Sequence, residues 1–425
     1  DVTKSAQVEE ADFVWPPVLD LPGYRPVTKP NARQIREAAR LIATSSRPVL
    51  YAGGGAMRAG VSRDLVELVD LSNAPIVTTL TARGVVPDSH PNNLGMPGMH
   101  GTVPAVAALQ KSDLIVALGA RFDDRVTGKV SDFAPNAKVI HIDIDPAEIS
   151  KNRLVDVPIV GDLKDATSDL VAELREAHRQ YGVPDLEEWW KTLAGLRERY
   201  PAGWEEVDGL LEPQHVISRL AKTVGSDNTI YVTGVGQHQM WANQFLNFEH
   251  PRQWLSSGGA GTMGFGVPAA MGAKVRQPDK TVWVIDGDGS FQMTNQELAT
   301  CCLEGIDIKI CIINNSSLGM VRQWQSLFYG ERYSHTDLNT GHGTRRIPDF
   351  VKLAQAYGCE AWRVEEGDDI DAAFEKAMEI NDRPVLLEFV TSPDSEVWPM
   401  VPAGVSNDDI VYARSVRPTT DPFAA

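Results

Sequence analysis

Hydrophobic positions along this chain alternate between two rhythms. Ile35, Ala38, Ala39 and Ile42 fall at helical spacing, and Pro48 closes that stretch before the short apolar run VLYA at 49–52. A second helical pattern near 62–71 leads to the run IVTTL at 76–80. A third near 103–110 leads to LIVAL at 114–118, and VIHIDI follows at 139–144. Asp145, Pro146 and Glu148 then carry the N-cap, first-position and third-position preferences of a helix start. The same rhythm resumes with apolar runs at 229–233, 282–286, 308–313 and 385–390. Strands alternating with helices predict parallel sheets, hence a fold class of two Rossmann-like α/β domains.

The pattern divides the chain. Residues 1–27, with Pro16, Pro17, Pro22 and Pro26, read as a linker whose first seven residues are a cut-off strand end or a flexible terminus. Residues 28–185 form the first domain. Residues 186–212, with Trp189, Trp190, Tyr200 and Trp204 among charges, form a helical connector, and 213–400 form the second domain. Residues 401–425, rich in Pro and Asp and without periodicity, read as a mobile tail.

Composition narrows the function. A net charge of −17 excludes a nucleic-acid partner, because phosphate-backbone binding is dominated by Lys and Arg. It also means that an anionic substrate needs basic groups placed locally. No apolar run approaches the roughly 18–20 residues that span a bilayer, so no membrane role is expected. The four cysteines lack metal-ligand spacing and read as reduced thiols in a reducing, cytoplasmic compartment.

The chemistry concentrates in one unit. Gly287, Asp288, Gly289 and Ser290 follow an apolar run directly; an amphipathic helix is expected over 292–304, and Asn314 and Asn315 end the next run. A βαβ unit brings both strand ends to one sheet edge, so Asp288 and Asn315 converge. A carboxylate and an amide oxygen there suit Mg²⁺, while glycines and a helix N-terminus suit phosphate. An isolated Gly-Asp-Gly is an ordinary turn; the whole unit is specific. It resembles the metal and diphosphate motif of thiamine-diphosphate enzymes. That resemblance implies Mg²⁺ held by Asp288, Asn315 and the backbone carbonyl of Ser317.

The strings GVGQHQMW at 234–241, SGGAGTMGFGVPAA at 257–270 and LGMVRQWQ at 318–325 are similar to acetohydroxyacid (acetolactate) synthase large subunits. The similarity assigns Val235, Gly236, Gln237, His238, Gly261, Met263, Gly287, Asp288, Gly289, Ser290, Asn315, Ser317, Leu318, Gly319 and Met320 to thiamine diphosphate. Met263 would wedge between the cofactor rings, and Trp324 would wall the substrate channel. Read alone, Met263 is a core filler and Trp324 a core or interface aromatic.

In the first domain, GGG at 53–55 is weak evidence for any nucleotide by itself. GMPGMHG at 95–101 and GARFDDRVTG at 119–128 resemble the family's FAD-binding domain. This places Gly53, Gly54, Thr79, Leu80, Met99, His100, Gly119, Arg121, Asp123, Arg125, Asp143 and Asp162 around FAD. Arg125 would also hold the carboxylate of a second 2-ketoacid; read alone, 121–125 is a solvated salt-bridge loop.

The implied activity decarboxylates pyruvate and joins it to pyruvate or 2-ketobutyrate. Implied partners are further copies of the chain, giving a homodimer or tetramer with shared active sites, and a regulatory small subunit. The resemblance covers the later two-thirds of the family's sequence, from residue 1 to about 415. The family's catalytic glutamate lies in an N-terminal domain without counterpart here, so the chain alone is expected to turn over slowly or not at all. Three other readings stand beside this one. They are a glyoxylate carboligase or flavin-free catabolic acetolactate synthase, a non-catalytic cofactor-binding fragment, and a nicotinamide dehydrogenase, for which no fingerprint follows either opening strand.

Overall fold

Every apolar run marked above as a strand is one, and together they build two parallel sheets. The computed structural model describes residues 2–414 except 17, 19, 20, 22, 207, 208 and 340–346. Parts of the expected linker and connector, and residues 415–425 of the expected tail, therefore lie outside the described residues.

The first sheet contains β1 (Pro48–Ala52), β2 (Ile76–Thr78), β3 (Leu114–Leu118), β4 (Lys138–Asp143) and β5 (Val157–Val160), in the order β2-β1-β3-β4-β5. All its pairs are parallel. Every residue of β1 and β3 is buried, because helices cover both faces. Ala32–Thr44, Ser62–Ser72 and Leu163–Tyr181 pack on one face. On the other lie Val103–Gln110 and the connector's helix Glu187–Arg199, whose Trp189 and Leu193 enter that core.

The second sheet contains β6 (Thr229–Thr233), β7 (Trp254–Ser256), β8 (Thr281–Gly287), β9 (Lys309–Asn314), β10 (Glu360–Val364) and β11 (Val385–Val390). Its order is β10-β11-β9-β8-β6-β7, again all parallel. In both sheets the chain adds a strand on one side and then jumps to the other. The reversal falls between β1 and β3 in the first and between β6 and β8 in the second. Ligands of open α/β sheets bind at such reversals, beyond the strand C-termini.

Four expectations change. Residues near the start form a short helix, Lys4–Val8, capped by Thr3, instead of a strand end or loose terminus. Asp145 does accept from Ala147 N at 2.9 Å, as a cap would, but no helix follows. The chain turns, Ser150 takes φ +61°, and Asn152 ties this loop to the carbonyls of Arg121 and Phe122. The helix expected over 292–304 is a single turn, Asp288–Phe291, then turns, then Glu297–Glu304. Thr294 and Asn295 bond backbone carbonyls of Gly264 and Gln292 across that break, and such side chains compete with helix.

The fourth change concerns the tail. Residues 401–414 are strapped down, with Val401 and Ile410 buried and Met400 bridging Val411. Val401 N donates to Met99 O at 2.7 Å, Lys129 N to Val405 O at 3.0 Å, and Asn407 Nδ2 to Val126 O at 3.1 Å. This strap joins the second domain to loops of the first.

Candidate functional site

The loop after β8 carries Asp288, which is 2 % exposed. Its Oδ1 accepts from Gly289 N at 2.8 Å, and the backbone amides of Ser316 and Ser317 after β9 lie close enough to favour its charged form. Sequence positions 27 apart thus meet at one sheet edge, as the βαβ geometry requires. Oδ2 is buried with no partner among the described residues. Burial, opposed by those amide donors, pushes the carboxyl up to about 7.

The two asparagines divide the work. Asn314 Nδ2 donates to the buried Glu388 at 2.6 Å, and its Oδ1 accepts from Ser316 N at 3.0 Å, holding Ser316 at φ +56°. Asn315 faces the site: its Oδ1 accepts from Ser317 N at 3.1 Å and its Nδ2 reaches Gln237 Oε1 at 3.4 Å. A cation at this edge would meet a carboxylate with a free oxygen, an amide and a backbone loop. That donor set suits a hard, water-retaining ion such as Mg²⁺. Among the described residues no cluster of three or more His, Cys, Asp or Glu side chains forms a softer metal centre.

Glycines make room for these side chains. A Cβ on Gly319 would overlap Gln237 Oε1 and come within 2.7 Å of Asn315 Nδ2; one on Gly287 would stand 2.8 Å from His238 Nδ1. A Cβ on Gly289 would stand 2.8 Å from Leu318 Cδ2 and 3.5 Å from the Met263 methyl. Ser290 Oγ accepts from Val235 N at 3.3 Å and Gly264 N at 3.1 Å. The side chain of Gln237 bonds inside the protein, to Gln323 Oε1 at 3.0 Å and Ser395 O at 2.9 Å. Its backbone, at the start of the helix Gln237–Phe245, faces the edge.

In front of this cluster lies a cleft of about 1000 Å³ between the two sheets. Gly53, Gly54, Thr79, Leu80, Met99, His100, Gly119, Arg121, Asp123, Arg125, Asp143 and Asp162 all line it from the first domain. Val235, Gly236, Gly261, Met320 and Trp324 line it from the second. Met263, Gln237, His238, Gly287, Asp288, Gly289, Ser290, Asn315, Ser317, Leu318 and Gly319 form the layer around the edge that carries Asp288 and Asn315. The Gly53 and Gly119 loops meet at the first sheet's reversal, where Gly53 N donates to Leu118 O and Gly55 N to Gly119 O, each at 3.0 Å.

The charged loop has both characters considered for it. Arg121 pairs with Asp123, which caps the turn Asp124–Thr127. Arg125 is 63 % exposed at the cleft, and among the described residues its one ion-pair partner is Asp124 at 3.9 Å. His100 is 4 % exposed; its Nδ1 donates to Pro399 O at 3.1 Å, while Nε2 is buried without a partner. Burial holds its pKa down to about 4, so the ring is neutral and Nε2 is a free acceptor for a ligand donor.

Sequence reasoning missed Asp286, Gly234, Arg58, Asp145, Ser257 and Gly258. All but Asp286 and Gly234 line the cleft; those two lie behind the Asp288 edge. A Cβ on Gly234 would overlap Asp286 Oδ1 and Ser290 Oγ. The available signal was position: most of these residues follow a strand's C-terminal end.

Comparisons with known proteins fall on the same two units. Residues 35–170 match the central domain of thiamine pyrophosphate enzymes, and 234–389 match the C-terminal TPP binding domain. The chain is 58% identical over 422 residues to an acetolactate synthase of Mycobacterium bovis, covering 99% of this chain and 68% of that protein. It is 55% identical over 423 residues to the acetolactate synthase large subunit of Corynebacterium glutamicum (99% and 67%). It is 44% identical over 426 residues to a probable acetolactate synthase large subunit of Methanocaldococcus jannaschii (98% and 70%). With both domains matched, and the motifs converging at the sheet reversals, the chain belongs to the acetolactate synthase large-subunit family of thiamine pyrophosphate enzymes.

Proposed function

We propose that the chain serves branched-chain amino acid biosynthesis, decarboxylating pyruvate and condensing it with a second 2-ketoacid to 2-acetolactate or 2-aceto-2-hydroxybutyrate. The observation that carries this reading is the buried, unpartnered oxygen of Asp288 beside Asn315, at a sheet reversal that opens onto the cleft. Thiamine diphosphate, when bound, supplies the electron sink for loss of CO₂.

The chain's own residues hold and orient. Asp288, Asn315 and the Ser317 carbonyl would hold Mg²⁺, and the Gly287–Ser290 and 234–238 loops would receive the diphosphate. Met263, beside Gly289, would pack against the cofactor and orient it. Trp324 and Met320 wall the substrate channel, and the exposed guanidinium of Arg125 takes the second ketoacid's carboxylate, which a planar fork suits. FAD fills the first-domain side of the cleft, whose size is at the upper end of the roughly 300–1,000 Å³ of ligand pockets. Its role is structural, since the reaction involves no net oxidation. A homodimer or tetramer with shared sites, a regulatory small subunit and a cytoplasmic setting belong to the same reading; several relatives are named large subunits.

The test is acetolactate formation from pyruvate with thiamine diphosphate, Mg²⁺ and FAD. The chain is assayed alone and with the relatives' unmatched third supplied separately. Product in either arm supports the reading. No product in both, with cofactors bound and the added segment associated, overturns it in favour of a non-catalytic cofactor-binding protein. Activity unaffected by removing FAD would favour the flavin-free synthases.

A further inference from the structure

Directly behind the metal edge, Asp286 is fully buried at the end of β8. Its Oδ1 accepts from Gly287 N at 3.0 Å, and its Oδ2 has no partner among the described residues. Facing it is a histidine: Nε2 of His238, itself 5 % exposed, stands 3.3 Å from Oδ1. Nε2 has no other partner among the described residues. Three glycines wall the pair. A Cβ on Gly234 would overlap Oδ1, one on Gly266 would stand 2.9 Å from Oδ2, and one on Gly287 would stand 2.8 Å from His238 Nδ1. Gly236, at the cap of the helix that carries His238, lies against the same ring edge.

A fully buried carboxyl with one oxygen unpartnered among the described residues is costly, so this arrangement needs a reason. The ring orientation supplies one. With Nε2 turned to Asp286, the imidazole's other nitrogen is directed at the Gly236 and Gly287 loops, both at the sheet reversal where the diphosphate is received. A carboxylate behind a histidine fixes its tautomer and its rotation, as it does for metal-bound imidazoles.

We infer that Asp286 is a positioning residue, holding the His238 ring so that Nδ1 faces the glycine-walled diphosphate pocket. The inference rests on the thiamine-diphosphate reading above. Asp286 acts through His238 and touches neither cofactor nor substrate.

The test uses the full chain with Mg²⁺ and follows binding by quenching of tryptophan fluorescence. Asp286→Asn keeps an oxygen for Gly287 N but loses the charge facing Nε2. Thiamine diphosphate and inorganic diphosphate are both expected to bind about tenfold more weakly to it, the worth of one charge-assisted hydrogen bond, while FAD binding is unchanged. His238→Gln should lose a similar factor, and the double variant no more than either single one. An unchanged dissociation constant for Asp286→Asn, or additive losses, overturns the inference.

A second readout needs no variant. In the chain labelled with ¹⁵N-histidine, the His238 ring should carry its proton on Nε2, and an Nδ1–H tautomer would overturn the assignment. If the unaltered chain binds no thiamine diphosphate, the cofactor reading itself fails. If it binds but Asp286→Asn binds equally well, only the present inference fails.

Discussion

At the scale of single residues, Asp288 couples metal, pH and stability. Burial raises its carboxyl from the ordinary value near 4 to about 7. Between those values the folded chain binds a proton that the unfolded chain releases. The stability this group contributes is therefore present at low pH and lost as pH rises toward 7. A bound divalent cation takes the proton's place. The melting-temperature gain from Mg²⁺ with diphosphate should be larger at pH 8 than at pH 6, and Asp288→Asn should flatten that difference, as thermal melts across the range would reveal. An equal gain at both pH values would remove Asp288 from the metal site. The sequence made Asp288 and Asn315 legible because a βαβ unit has only one way to bring them together. It did not separate Asn314 from Asn315, since side-chain direction at a strand end depends on the Glu388–Arg363 pair contributed by β11 and β10. Asp286 was hidden for a related reason: its partner His238 lies 48 positions earlier, on the helix after β6.

At the scale of elements, the legible strands are those buried on both faces, where a continuous apolar run is the only affordable composition. The unpredicted strands lack such runs: β5 contains Pro158, β7 has three residues, and β10 is partly exposed. The helix start expected at 145–148 does not form, and the helix expected over 292–304 is continuous only over Glu297–Glu304, because local preference competes with side-chain bonds such as Asn152 to Arg121 O and Thr294 to Gly264 O. Turns carry the site, and their glycines are testable. Gly119 has φ +60°, and a Cβ there would stand 2.7 Å from Gly55 Cα and 2.9 Å from Ala56 N. Both objections are to backbone, which cannot yield cheaply. Gly119→Ala should cost about 2 kcal/mol or more in denaturant unfolding, adding left-handed strain to overpacking. FAD affinity should fall with it, because the Gly53 and Gly119 loops are mutually hydrogen-bonded. Wild-type stability in this variant would mean the loops are free to separate.

At the scale of the whole molecule, the cleft exists because two separately built sheets are pinned across a polar seam. Trp254 Nε1 donates to Leu80 O at 2.9 Å, and Asp88 accepts from Phe248 N at 2.9 Å while paired with Arg83. Gln244 Nε2 donates to His100 O and to Trp398 O, and His100 donates to Pro399 O, so His100 sits where the second domain's strap meets the first. Its pKa is depressed to about 4 by burial, against an unfolded value near 6.5. In that window the unfolded chain holds a proton that the folded chain refuses. The stability contributed by this group is present above pH 6.5 and lost as pH falls toward 4, with a full loss on the order of 2–3 kcal/mol. The direction is opposite to that of Asp288 and the two windows overlap below neutrality, so a variant at one site is needed to separate them. His100→Gln keeps a side chain able to donate to Pro399 O but cannot titrate. Urea midpoints measured from pH 7 to pH 4.5 should fall less steeply for it than for the unaltered chain. Because the seam also walls the cleft, FAD should be released along the same acidic limb, followed by recovery of flavin fluorescence. Parallel slopes for both proteins would show that His100 does not carry the acid sensitivity. Flavin retained while the midpoint falls would mean the seam opens elsewhere, leaving the cleft intact.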